Sequence, residues 1–149
     1  MRSIALVTFA LLVLSACASA ENPNVTAARS ICAIAYGDPA LDPIRGRIPI
    51  GDAQASKASL NNLADTGRPN VTERLALQQY DAANRRCWDA WDKAGTSPFT
   101  QQARATVSAA LAELYSGTAT YGDFNRKRAT AIADMQARLR EAEDRERAA

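Results

Sequence analysis

Apolar residues recur along most of this chain at intervals of three and four, the period of a helix that buries one face. Val25, Ala28, Cys32 and Ala35 fall on one such face, with Ile31 beside them. Leu77, Tyr80, Asn84, Cys87 and Trp91 make a second stripe, and Ala103, Val107, Ala110, Leu111 and Leu114 a third. Phe124, Arg128, Ala131, Met135, Leu139 and Ala142 make a fourth. Glu141 to Arg147 is almost all charge and reads as a solvated helical tail over 140–149. The two-residue alternation of a strand is scarce. The pattern predicts an all-α fold, a small antiparallel bundle of about four helices with one Pro-rich irregular loop.

Helix punctuation agrees with the stripes. Pro23-Asn24-Val25-Thr26 opens the first helix, and Gly37 followed by Pro39 ends it. Residues 37–57 hold Pro39, Pro43 and Pro49 with Gly37, Gly46 and Gly51, the composition of an irregular loop. Ile44, Ile48 and Ile50 within it imply that it lies against the helices. Leu60 and Leu63 mark a short helix. Asn70 with Glu73 has the spacing of a capping box and opens a helix from Val71 to Lys93, stopped by Gly95. Ser97-Pro98 starts the next helix and Gly117 stops it, after which Thr120 and Asp123 are a further capping pair.

Ahead of the first helix, Met1 and Arg2 precede an apolar run from Ile4 to Leu14. A helix needs about 20 apolar residues to span a bilayer, so this shorter run reads as the core of an export signal. Leu14-Ser15-Ala16-Cys17 closes it. That tetrapeptide resembles the lipobox of bacterial lipoproteins. The resemblance implies that the Cys17 thiol is alkylated with a diacylglycerol, that the signal peptide 1–16 is then cut away, and that the new N-terminus is acylated. Residues 17–23 would form the tether and 24–149 the helical domain. Two or three acyl chains anchor a protein durably where one does not. Ala18, where Asp would favour retention at the inner membrane, implies the outer membrane by the Gram-negative sorting rule. Ala18-Ser19-Ala20 is a competing cleavage site that would release a soluble periplasmic or secreted protein at Glu21. The chain as a whole resembles small exported lipoproteins of alphaproteobacteria.

Of the 149 residues, about 133 remain after the leader, the size of one domain. The formal net charge is +2 and Arg2 lies in the leader, so the remainder is nearly neutral. No field for nucleic acid is implied, and no nucleic-acid partner is expected. Histidine is absent. That excludes Ser-His and Cys-His catalysis and the commonest zinc ligand sets, and no cofactor or metal is expected. Cys32 and Cys87 are the cysteines left after Cys17. In an oxidising compartment they predict a Cys32–Cys87 disulfide clamping the first two long helices, the alternative being two separate buried thiols.

Leu111, Leu114, Gly117, Thr120, Phe124 and Arg128 resemble the short helical hairpin of SHOCT-type modules at bacterial protein C-termini. Within that hairpin Tyr121, Phe124, Asn125, Arg126 and Arg128 form a candidate interaction patch. A helix start offers unpaired N–H groups and a positive dipole end, and arginines add donors. Such a patch would grip an acidic segment of an envelope protein or an anionic glycan. The alternative is that Phe124 fills the core and the bases form a solvated face. Trp88 and Trp91, one turn apart, read as core packing or as an exposed binding face. Arg85-Arg86 reads as a solvated pair, and Asp38, Asp42 and Asp52 as loop caps, since their spacing fits no calcium loop.

These readings together point to a non-enzymatic outer-membrane lipoprotein, facing the periplasm and held to the membrane by its lipid. Its helical domain would bind or position another envelope component. Two further classes stay open: a histidine-independent enzyme acting on peptidoglycan, and a small inhibitor of a lytic enzyme.

Overall fold

The computed structural model describes residues 22–51 and 57–149. The leader, Cys17 and Asp52 lie outside them. Among the described residues the fold is all-helical, with six α-helices and one 3₁₀ turn. Four helices are long: α1 (Pro23–Tyr36), α4 (Val71–Ala94), α5 (Pro98–Ser116) and α6 (Tyr121–Ala148). Two are single turns, α2 (Asp42–Arg45) and α3 (Leu60–Ala64).

Each long helix starts on a side chain that satisfies its first free amides. The Asn22, Asn70, Ser97 and Thr120 side chains accept from the backbone N–H of Asn24, Glu73, Thr100 and Asp123. At Asn70 and Thr120 the acid three residues on accepts back from the cap's own N–H, completing a capping box. Gly117 ends α5 in the left-handed region at φ 79°, a conformation that glycine adopts without steric cost.

The long helices associate as two antiparallel pairs. In one, α1 runs against α4 and Cys32 is bonded to Cys87. Tyr36 on the same face donates its hydroxyl to Asn84 Oδ1 at 3.0 Å. In the other, α5 and α6 form a hairpin in which Lys127 meets Glu113 and Arg138 reaches Gln102. The consecutive helices α4 and α5 pack less closely and are linked by side chains, Gln78 to Tyr115 and Arg104 to Asp92.

The Pro-rich segment does more than connect. Its described part folds into the 3₁₀ turn Pro39–Leu41 and then α2, where irregular chain was expected. Asp38 caps that turn through Ala40 N–H, and Asp42 pairs with Arg45. Leu41, Ile44 and Ile48 are completely buried in the common core with Tyr80, Leu114 and Phe124. Full burial of such an aliphatic side chain contributes about 1.5–3 kcal/mol, which holds the segment against the core.

The segment between α3 and α4 meets the start of α6 at backbone distance. Tyr121 N–H donates to Gly67 O at 3.0 Å and Gly122 N–H to Asp65 O at 2.7 Å. A Cβ at Gly122 would stand 2.7 Å from Leu63 O and 2.8 Å from Asp65 O, distances that side-chain carbons do not tolerate. Gly122→Ala is therefore expected to destabilise the fold by about 1–3 kcal/mol in urea melts. Gly46→Ala, whose Cβ meets nothing within 4 Å, is expected to be nearly neutral.

Candidate functional site

The run Tyr121 to Arg128 is not presented as a surface. Tyr121 and Phe124 are fully buried, Asn125 is 1% exposed and Arg128 6%. Arg126 alone of the five candidates is exposed, and its guanidinium meets Leu63 O and Asp123. The physical reason is the spacing. Positions 121, 124, 125 and 128 share one helical face, and that face is the core seam of α6. The helix start is also closed to an anion. Its first four amides go to Gly67 O, Asp65 O, Thr120 Oγ1 and Thr120 O.

Part of that seam belongs to a partly buried polar junction built around Arg47. The Arg47 guanidinium makes two hydrogen bonds to Asp65, both 2.8 Å, and one to Glu73 at 2.9 Å. Its carbon lies 4.0 Å from the centre of the Tyr121 ring, a cation–π contact. Asn125 Nδ2 donates to Arg47 O at 2.8 Å and to Asn62 O at 2.9 Å. Four stretches of chain thus converge: the α2 exit, α3, the α4 cap and the α6 start. Arg47 holds the Asp65 carboxyl below the usual carboxylate range, with help from Gly67 N–H. Burial pushes the Tyr121 hydroxyl far above its ordinary value, so it stays neutral; it makes no hydrogen bond.

The α6 capping box has its own acid dependence. The Thr120 N–H and hydroxyl, and then Arg126, push Asp123 down to about 2. A carboxylate depressed in the folded state stabilises above its unfolded value, near 4, and loses that contribution as pH falls through its folded value. The melting temperature is therefore expected to be flat from about pH 7 to 5 and to drop between about pH 4 and 2. Asp123→Asn should reduce the drop.

A concavity with a volume of about 480 Å³ lies between the two helix pairs. One wall is α4, with Asn84, Trp88 and Trp91; α6, with Ile132, Met135 and Leu139, and α5, with Thr100, Arg104 and Val107, form the rest. Both tryptophans are half-buried at this cleft, and they are the two that the chain contains. They are neither core nor fully exposed face, which divides the two sequence expectations between them. Arg104 lies over the Trp88 ring at 5.6 Å and pairs with Asp92 at 2.6 Å. Arg128 lines the cleft from α6, and it and Arg29 are engaged in interactions of their own. No Asp or Glu lines the cleft among the described residues. Asn84 is 3% exposed, and its Nδ2 has no hydrogen-bond partner. A buried amide nitrogen without a partner costs about 1–3 kcal/mol.

Among the described residues no cluster of His, Cys, Asp or Glu could hold a metal ion, and no helix is long and apolar enough to cross a membrane. Arg85 and Arg86 are exposed, Arg85 paired with Asp81 at 2.6 Å. No protein-family model matches the chain, and neither a curated protein nor a solved structure does.

The Arg47 junction and the cleft both escaped the sequence reading. Arg47 sits between Ile44 and Ile48, and that flanking was the signal available. For the cleft the signal was the tryptophan pair on the same helix as Cys87.

Proposed function

We propose that this protein is a lipid-anchored protein of the bacterial envelope whose helical body, a small antiparallel bundle, holds another envelope component in the cleft between α4 and α6. The observation that carries the binding half is the cleft itself. It combines half-buried tryptophans with Ile132, Met135 and Leu139 on the facing helix, and Arg29, Arg104 and Arg128 also line it. Its volume falls in the range of small-molecule and side-chain pockets, about 300–1,000 Å³. The anchor half rests on Leu14-Ser15-Ala16-Cys17, and export is supported by the Cys32–Cys87 bond, which persists in oxidising compartments. Outer-membrane placement facing the periplasm follows from Ala18 after the anchor.

The cleft favours binding over carboxylate catalysis. A two-carboxylate hydrolase needs its acids facing across a substrate site. Here Asp65, Glu73 and Asp92 are in ion pairs with arginines and none of them lines the cleft.

Two measurements test the two halves. A fatty-acid analogue fed to producing cells should label the protein, and Cys17→Ser should abolish the label; equal labelling of the variant contradicts the anchor. An envelope extract added to the purified protein should shift the emission of Trp88 and Trp91 and raise the melting temperature. Unchanged emission and melting contradict the cleft as the binding site.

A further inference from the structure

We infer that the outer side of α1 rests on the phospholipid surface that holds the anchor, with the row Pro23, Ala27, Ile31 and Ile34 turned into the interface. This rests on the lipid anchor proposed above and adds how the helical body sits on its membrane.

The row follows from helical spacing. Positions 23, 27, 31 and 34 are separated by steps of three and four, so they line one side of α1 along its 14 residues, about 21 Å. All four are exposed, Ile34 at 74% and Ile31 at 42%. Isolated exposed apolar residues are ordinary on a protein surface. Here four align, and no charge breaks the row. The single charged residue of α1 is Arg29. It is two positions from both Ala27 and Ile31, hence on the other side of the helix, where it lines the cleft. α1 has no acid to be repelled by anionic headgroups. The exposed faces of α4 and α6 differ, since they carry Arg85, Arg86, Lys127, Arg138 and Glu141.

The chain ahead of the row names what covers it. α1 starts at Pro23, and the thiol proposed to carry the lipid is at Cys17. The six steps between them span at most about 21 Å fully extended, so the first turn of α1 stays within that distance of the headgroups. Such a tether makes contact with the bilayer intramolecular in effect and raises its local concentration. A row too small to hold a free protein on a membrane is then sufficient. A helix lying in the interface plane buries its apolar side by about 5–10 Å at the boundary of headgroups and acyl chains. Ile31 and Ile34 supply the apolar area that leaves water, and the small Ala27 lets the helix approach closely. A second copy of the chain has no comparable tie to this face.

The test uses the full chain purified from producing cells, its acylation read by mass, and reconstituted in vesicles of phosphatidylethanolamine and phosphatidylglycerol. Benzoylphenylalanine stands at Ile34 or, as the control, at Ala109, an exposed position on α5 in the other helix pair. Irradiation should give a phospholipid adduct from position 34 and none from position 109. Ala27→Asp sets a carboxylate in the row at an exposed site. It should abolish the adduct from position 34, since an ionised carboxylate resists leaving water. Acylated, vesicle-bound protein without a phospholipid adduct from 34, equal adducts from 34 and 109, or an adduct unchanged by Ala27→Asp overturns the inference and leaves the anchor standing. An adduct from 34 to a second copy of the chain assigns the row to a dimer and overturns it as well. A purified chain with Cys17 unacylated removes the anchor, and the inference with it.

Discussion

Replacing Cys32 and Cys87 together by alanine is expected to destabilise the protein by about 4 kcal/mol, the value the chain-entropy model gives for a loop of this length. The two cysteines are 55 residues apart in sequence. The bond therefore restricts the unfolded chain over the whole Pro-rich segment, α2, α3 and most of α4. Both cysteines are buried at the α1–α4 seam, so their loss also removes packing. For a domain of this size the melting temperature should fall by roughly 15 °C. The fall should be smaller on reduction of the native protein, which keeps both side chains, than on the double substitution. An unchanged melting temperature would mean that α1 is held by its packed face alone.

Arg47→Ala is expected to cost about 2–3 kcal/mol, below the 3–5 of a fully buried broken pair because its partners keep some solvent contact. The Arg47 side chain is 29% exposed, against 20% for Asp65 and 11% for Glu73. Without it Asp65 keeps Gly67 N–H, and Glu73 keeps Asn70 N–H. The two acids that share Arg47 would then have no cation between them. A double-mutant cycle with Asp65→Ala should return a coupling above 1 kcal/mol, within the range for directly bonded residues. Additive losses would mean that Arg47 acts only through the bulk of its side chain. Arg47→Lys should recover little, since an ammonium cannot reproduce the two parallel bonds to Asp65.

The long helices were legible because their boundaries depend on local chemistry. Asn70 and Glu73, Ser97 and Pro98, Thr120 and Asp123 lie at the helix starts where their spacing placed them, and Gly117 ends α5. The disulfide was legible because assigning Cys17 to the lipobox pattern leaves Cys32 and Cys87 with one pairing. The junction was not legible, since it joins Arg47, Asp65, Glu73 and Tyr121 from four stretches of chain, and nothing local announces such a convergence. The run Tyr121 to Arg128 supports both a patch and a core face in sequence, and the burial of 121, 124, 125 and 128 follows the core face. That face carries buried polar groups, and Asn125 Nδ2 donates to two backbone carbonyls. The cleft was hidden for another reason. It exists only because α4 and α6, far apart in sequence, face one another across the gap between the helix pairs.

Photo-crosslinking in producing cells tests the central claim most directly, with benzoylphenylalanine placed in turn at Trp88, in the cleft, and at Leu75, on the exposed face of the same helix. The account predicts one recurrent adduct from position 88, absent from position 75 and lost when Met135→Trp narrows the cleft. Equal adducts from both positions, or an adduct from 75 alone, would contradict it.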